Sequence, residues 1–311
     1  MTETIYVVGH KNPDNDAISA AIGFAAFKNA ICARDGIDAV YKPVRLGPLP
    51  VETAFNLERY GVEEPELIER VGEGDKVALV DHNEVRQSVD GIEDAEIVEI
   101  VDHHRIGGMV TAAPIPFTNR PTGSTAGIVT SLFRAEDLPI PQPIAACLLS
   151  ACLTDTVILK SPTTTPFDHN QVAYLSTLLS VDPVEFGMEL FRKRGGESEM
   201  DIDKLVGADS KEFAYRDKVV YIAQRETVDL KAVLDREDEI REYMKGLCES
   251  KGYEFAILMA TDILAEGTQL LVEGNTAAVD AIFDITCQPG GVWMPGVLSR
   301  KKQIAAAVLG A

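Results

Sequence analysis

Ile97-Val-Glu-Ile-Val101-Asp102-His103-His104 is the stretch on which the fold of this chain turns. An apolar run of strand length ends in three side chains able to hold a metal, and two further runs end in the same way. Ile5-Tyr-Val-Val8 leads into Gly9-His10 and then Asp14 and Asp16, and Val77-Ala-Leu-Val80 leads into Asp81-His82. Open α/β sheets bind ligands outside the carboxyl ends of their strands, so three neighbouring strands would converge these groups on one crevice. Four of the five histidines lie in these stretches.

Outward from there, strand-like runs at 5–8, 39–44, 77–80 and 97–101 alternate with helical patterns such as 17–33, the signature of parallel βαβ units. After Ser124 the pattern turns helical, over 125–133, 143–153, 168–179 and 183–191. Phe191-Arg-Lys-Arg-Gly-Gly-Glu-Ser198 reads as a linker. The expected division is therefore a first domain over 1–190, a linker over 191–197 and a second domain over 198–311. Strands at 218–223, 253–259, 268–272 and 303–309, with helices at 230–248 and 276–283, make the second domain a smaller α/β unit. The expected fold is α/β: an N-terminal domain with a mainly parallel sheet flanked by helices, the smaller C-terminal domain, and an active site in the cleft between them.

A chain of 311 residues with 46% apolar and 25% charged content is an ordinary globular protein of about two domains. Lys and Arg total 29 against 49 Asp and Glu, a net charge of -20 that repels polyanions and disfavours nucleic-acid binding. An anionic substrate would have to be met by a local cluster of metal ions and basic groups. The five cysteines are odd in number and form no C-x-x-C pair, which reads as reduced thiols in a cytoplasmic protein. The amino terminus lacks a basic region followed by an apolar segment. No run reaches the roughly 18 residues of a membrane span, so neither secretion nor membrane insertion is expected.

His10, Asp14, Asp16, Asp81, Asp102, His103 and His104 all fall at strand ends. Asp14, Asn15 and Asp16 would equally serve as caps for the following helix, so no single carboxylate is diagnostic. Recurrence at three strand ends is what points to metal. Mixed His and carboxylate ligands suit Mn²⁺, Co²⁺, Fe²⁺ or Zn²⁺ better than Ca²⁺. Asp155 follows the apolar Cys147-Leu-Leu-Ser-Ala-Cys-Leu153, where a carboxylate is either exposed at a helix end or neutralised by a metal. So many ligands favour two metals about 3.5–4 Å apart, an arrangement suited to in-line displacement at phosphorus. No G-x-S-x-G elbow or G-x-x-x-x-G-K-[ST] loop competes with that chemistry. Ser299-Arg300-Lys301-Lys302-Gln303 is either a solvated loop or a phosphate clamp. Lys211 would join such a clamp if the second domain closes over the first, and is otherwise a surface lysine.

Gly9-His-Lys-Asn-Pro-Asp-Asn-Asp16, Val80-Asp-His-Asn-Glu84, Val101-Asp-His-His104, Leu153-Thr-Asp-Thr156 with Lys160-Ser-Pro-Thr163, and Ser299-Arg-Lys-Lys-Gln303 together resemble the manganese-dependent, or family II, inorganic pyrophosphatases of the DHH phosphoesterase superfamily. The five blocks span residues 9 to 303 in family order. The resemblance implies one metal on His10, Asp14, Asp81 and Asp155, and a second on Asp16, Asp81, His103 and Asp155, so that Asp81 and Asp155 bridge. It places His104 close to the phosphate under attack, Asp102 behind its histidine neighbours, and Lys211, Arg300 and Lys301 on the substrate oxygens. It further implies two Mn²⁺, with Co²⁺ as a substitute, Mg²⁺ arriving with pyrophosphate, and a homodimer.

The implied reaction is hydrolysis of pyrophosphate to two phosphates by a metal-bridging hydroxide. Asn15 departs from the Thr or Ser often found between the two aspartates. About 65 residues separate Asp16 from Asp81, too few for the nucleotide-binding regulatory insert of some members. The alternative is a DHH-type phosphoesterase acting on polyphosphate or short nucleotides. Its nucleotide-cleaving branch typically carries a Gly-Gly-His motif in the second domain, and this chain has no histidine after His169.

Overall fold

Six parallel strands build the first sheet. The computed structural model describes residues 2–194, 196 and 198–311. It divides into two units, Met1–Arg194 and Gly195–Ala311.

In the first unit β1 (Glu3–Val8), α1 (Asn15–Asp35), β2 (Ala39–Arg45), α2 (Val51–Tyr60), β3 (Glu66–Leu67), β4 (Lys76–Val80), β5 (Glu96–Asp102) and β6 (Phe117–Asn119) come first. The helices α3 (Thr125–Ala135), α4 (Gln142–Asp155), α5 (Pro166–Leu179) and α6 (Pro183–Lys193) follow. The sheet order is β3-β2-β1-β4-β5-β6, and every neighbouring pair is parallel. The chain reverses direction across the sheet between β1 and β4, the place where crevices form in such folds. The carboxyl halves of the central strands are apolar because both faces are covered: Val7, Val8, Val77, Leu79 and Val80 have no exposed surface.

Helix α1 is capped at one end by Asp14, whose Oδ1 accepts from Ala17 N at 2.9 Å, and at the other by Gly36 at φ 68°. It starts close under β1: a Cβ on Gly9 would lie 2.5 Å from Ala17 O. By length and composition α1 could cross a membrane, which corrects the expectation that no run is long and apolar enough. Yet 67% of that window is buried inside the protein, the setting of a core helix.

The second unit holds α7 (Ile202–Gly207), β7 (Ser210–Tyr215), β8 (Lys218–Thr227), α8 (Leu230–Leu234), α9 (Glu237–Lys251), β9 (Phe255–Asp262), β10 (Gly267–Gly274), α10 (Thr276–Phe283), β11 (Val292–Pro295), a π-helical turn Arg300–Ala305 and α11 (Ala306–Gly310). Its sheet runs β11-β10-β9-β8-β7, antiparallel except for β8 beside β9. Apolar clusters cover both faces, one around Phe255, Ile257 and Met259 and the other around Ala256, Leu258 and Ala260.

Three expectations change. The run at 303–309 is helical, not a strand: Ser299 Oγ accepts from Lys302 N, and Ile304 and Val308 bury one helical face. A short alanine-rich apolar run carries no period that separates the two readings. The helix expected at 230–248 is broken at Arg236, which leaves helical geometry at φ -108°, ψ 18°. The expected linker begins as helix, because α6 carries on through Phe191-Arg-Lys193, and Arg194 Nε then bonds Glu52 Oε1 at 2.8 Å. Gly195 and Glu197 of that linker lie outside the described residues.

Candidate metal centre

Parallel pairing sets the carboxyl ends of β1, β4 and β5 side by side, and with them the residues that follow each strand. His10 donates from Nδ1 to Lys11 O at 2.8 Å, which leaves Nε2 facing Asp14 Oδ1 at 3.6 Å and Asp81 Oδ2 at 3.5 Å. Burial opposes charge on this ring, but the two carboxylates outweigh it and raise its pKa to about 11. Asp81 takes a left-handed φ of 63°, so the chain turns sharply while Asp81 N still bonds Val101 O at 3.0 Å. That turn aims a carboxylate with 1% exposure into the cluster, where Oδ1 accepts from Thr125 Oγ1 at 2.9 Å. Burial would favour its neutral form, yet His10 and His103 hold it below the usual carboxylate range.

His103 is oriented in the same way as His10. Its Nδ1 donates to Thr122 O at 2.8 Å, and its Nε2 stands 3.4 Å from Asp81 Oδ1 and 3.7 Å from Asp155 Oδ2. Burial again opposes its charge, and Asp81 raises the pKa to about 9. Asp155 closes α4. Burial, then the charges of Asp81 and Asp14, push its carboxyl up to about 8. Asp16 is wholly buried and accepts from the first amides of α3, Thr125 N at 2.6 Å and Ala126 N at 2.9 Å. Burial first, and the charges of Asp81, Asp155 and Asp14 after it, hold its pKa well above the usual carboxylate range.

Ligand atoms from three groups lie within 4.8 Å of one another: His10, Asp14 and Asp81; Asp16, His103 and Asp155; and Asp81, His103 and His104. Among the described residues, buried Asp81 Oδ2 and His103 Nε2 have no hydrogen-bond partner. Buried polar atoms are rarely left in that state, and these two are an acceptor oxygen and an imidazole nitrogen that carries a free lone pair once the ring is neutral. A divalent cation of intermediate softness satisfies both, so the residues fit such an ion.

Asp102 lies behind this cluster. Its Oδ1 accepts from His104 N at 3.1 Å and from His104 Nδ1 at 2.9 Å, while its Oδ2 accepts from Asn83 Nδ2. His104 is half-exposed. His82 donates from Nδ1 to Val80 O at 2.9 Å, and burial lowers its pKa. His169 is exposed in the first turn of α5.

In the second unit, Lys211 is exposed on β7 and pairs in register with Ile222 on β8. Arg300 opens the π-helical turn with its guanidinium on Asp209: Nη2 is 2.6 Å from Oδ1, and Nη1 donates to the Asp209 carbonyl. Lys301 is exposed beside it.

Asp168 escaped the sequence reading as a site residue. Fully buried at the start of α5, it accepts from Thr122 Oγ1 at 2.8 Å, Gly123 N at 3.0 Å and Thr165 N at 2.8 Å. It thereby holds the loop whose Thr122 carbonyl orients His103. A Cβ on Gly123 would lie 2.4 Å from Thr156 Cγ2 and 3.1 Å from Asp168 Cγ, so this loop packs tightly. The Thr165-x-x-Asp168 spacing is a capping-box signal that marks the helix start, though not the contact with Thr122.

Residues 4–152 match the DHH family, N-terminal domain, and residues 188–311 match the DHHA2 domain. A relative from Archaeoglobus fulgidus named "Probable manganese-dependent inorganic pyrophosphatase" is 43% identical over 98% of this chain and 97% of its own. The "Manganese-dependent inorganic pyrophosphatase" of Methanocaldococcus jannaschii is 35% identical over 96% of each chain. A crystal structure from Methanococcus jannaschii assigned to the family II inorganic pyrophosphatases superposes with a TM-score of 0.60 at 34% identity, covering 98% of both chains. Full-length similarity at this level, joined to the DHH and DHHA2 matches, places the chain in the family of manganese-dependent inorganic pyrophosphatases.

Proposed function

We propose that this enzyme hydrolyses inorganic pyrophosphate to two phosphates with two manganese ions. The names of its relatives support the substrate and the metal. The observation that carries the metal reading is the pair of unpartnered buried atoms, Asp81 Oδ2 and His103 Nε2, in a pocket of acids and imidazoles. His10, Asp14, Asp81 and Asp155 would hold one ion, and Asp16, Asp81, His103 and Asp155 the other, with Asp81 and Asp155 shared. When bound, the two ions supply Lewis acidity toward phosphate oxygens and acidify the attacking water.

The protein's own groups prepare this chemistry. Lys11 O and Thr122 O fix the ring tautomers of His10 and His103, so each presents Nε2. Asp102 fixes the His104 ring by its Nδ1, and His104 would stand close to the phosphate under attack. Lys211, Arg300 and Lys301 would bind phosphate oxygens, with Arg300 exchanging Asp209 for substrate. In this reading residues 1–190 form the metal-binding part and 198–311 the substrate-binding part. Mg²⁺ would arrive with pyrophosphate, and Co²⁺ would replace Mn²⁺ on the same ligands. The five free thiols support a cytoplasmic setting, and the family resemblance a homodimer.

Purified protein given Mn²⁺ and Mg²⁺ should release phosphate from pyrophosphate far faster than from polyphosphate or a dinucleotide. Efficient cleavage of a dinucleotide with pyrophosphate untouched would refute the substrate and favour the nucleotide-cleaving alternative.

A further inference from the structure

Asn15, the residue between Asp14 and Asp16, has 1% exposure in the first turn of α1. Its amide makes four hydrogen bonds, the full capacity of that group. Nδ2 donates to Ser150 Oγ and to Thr154 Oγ1 on α4, each at 3.1 Å. Oδ1 accepts from Ser19 Oγ on α1 at 3.1 Å and from Thr53 Oγ1 on α2 at 2.9 Å. Neighbouring bonds set these directions. The Ser150 hydroxyl donates to Cys147 O at 2.7 Å and the Thr154 hydroxyl to Ser150 O and Ala151 O at 3.1 Å, so both oxygens face Asn15 as acceptors. A side chain there needs two protons for α4 and an acceptor for α1 and α2. A Thr or Ser hydroxyl has a single proton to give.

The network joins the two segments that carry the buried acids. Asn15 adjoins Asp14 and Asp16, and Thr154 adjoins Asp155. Oxygens of Asp16 and Asp155 lie within 4.8 Å of one another and of a His103 nitrogen, although like charges at that range repel. We infer that Asn15 is a positioning residue: its amide ties the start of α1 to the end of α4 and so presets Asp16, His103 and Asp155 as one divalent-cation site. The inference rests on the metal-binding reading above. The group of His10, Asp14 and Asp81 has other supports, in Lys11 O, Ala17 N and Thr125 Oγ1. Loss of Asn15 therefore falls chiefly on the site of Asp16, His103 and Asp155, and reaches the other through the shared Asp155.

Calorimetric titration of metal-free protein with Mn²⁺ tests this in the wild type, Asn15→Leu, Asn15→Thr, Thr154→Val and Leu190→Ala, the last a core substitution on α6. Removing the hydrogen-bonded backing of a metal ligand weakens binding about 10- to 100-fold. That loss is expected in one Mn²⁺ step of both Asn15 variants, with a smaller loss in the other step, which shares Asp155. Thr154→Val should weaken the same step, and it carries the test with Asn15→Thr if Asn15→Leu does not fold. Leu190→Ala should lower Tm with both steps unchanged. Unchanged affinities in Asn15→Thr and Thr154→Val would overturn the inference, as would equal weakening in Leu190→Ala. Wild type that binds two Mn²⁺ yet leaves pyrophosphate intact would sink the proposed function and leave Asn15 standing. Wild type that binds no Mn²⁺ would overturn both.

Discussion

His103 Nε2 points at Asp81 Oδ1 from 3.4 Å, while the other edge of its ring is held by Thr122 O at 2.8 Å. The distance is wide for a good hydrogen bond, and among the described residues the nitrogen has no hydrogen-bond partner, with Asp155 Oδ2 at 3.7 Å. A ring locked by one nitrogen and free at the other is the arrangement of a metal-binding histidine.

Asp81 touches both His10 and His103, so its loss should affect both metals at once. Asp81→Ala is expected to lose the metal pair and to lower kcat by about 10²-fold or more, the scale of removing a main electrostatic support. Elemental analysis beside a phosphate-release assay checks this. Two tightly bound metals in the variant would show that Asp81 does not bridge.

Arg300 is anchored on Asp209 in the second unit and is not among the proposed metal ligands. Arg300→Ala should lower kcat/KM about 10- to 100-fold, the loss of a guanidinium–phosphate pair of roughly 1.5–3 kcal/mol, with metal content intact. Unchanged kcat/KM would dismiss the phosphate clamp.

The pH response should differ in sign with and without metal. In the folded metal-free protein Asp155 keeps its proton up to about 8 and His103 up to about 9, against ordinary values of 3.8 and 6.5. Between these limits the folded state binds more protons than the unfolded chain, so stability falls as pH rises from about 4 to about 9. The same protons must leave before a cation is held, so Mn²⁺ affinity climbs over that span. Thermal melts of chelator-treated and Mn²⁺-saturated protein read both effects. A metal-free Tm that rises toward pH 9 would contradict the assignment.

Asp168 accepts only from hydrogen-bond donors, and Gly123 N donates to both of its oxygens at 3.0 Å. In Asp168→Asn one of these oxygens becomes an NH₂ group facing a donor. A stability loss of about 2–3 kcal/mol is expected, the cost of buried groups left unpaired. Chemical denaturation measures it, and a loss below about 0.5 kcal/mol would mean that Asp168 does not hold the Thr122 loop.

Much of the first unit was legible in the sequence because parallel strands covered on both faces are short, apolar and bounded. β1, β2, β4 and β5 extend the expected runs by one or two residues. The two-residue β3 and three-residue β6 bury too little to leave a pattern. The helical tail of the second unit was misread because Ile304 and the alanines after it suit either period.

The sequence by itself determined which side chains would follow the strands: His10, Asp14, Asp16, Asp81 and His103 come after apolar runs, and a parallel sheet puts strand ends on one edge, while Asp155 comes at the end of an apolar helix. The tertiary structure alone decided how each of them is held. Lys11 O and Thr122 O orient the imidazoles, the amides of α3 receive Asp16, and four hydroxyls from three helices receive Asn15. These partners are main-chain atoms or common hydroxyls, up to 139 residues distant along the chain. Backbone carbonyls and amides are alike at every position, so no residue type announces them. Only the packing of α1, α2, α3 and α4 brings them into hydrogen-bond range.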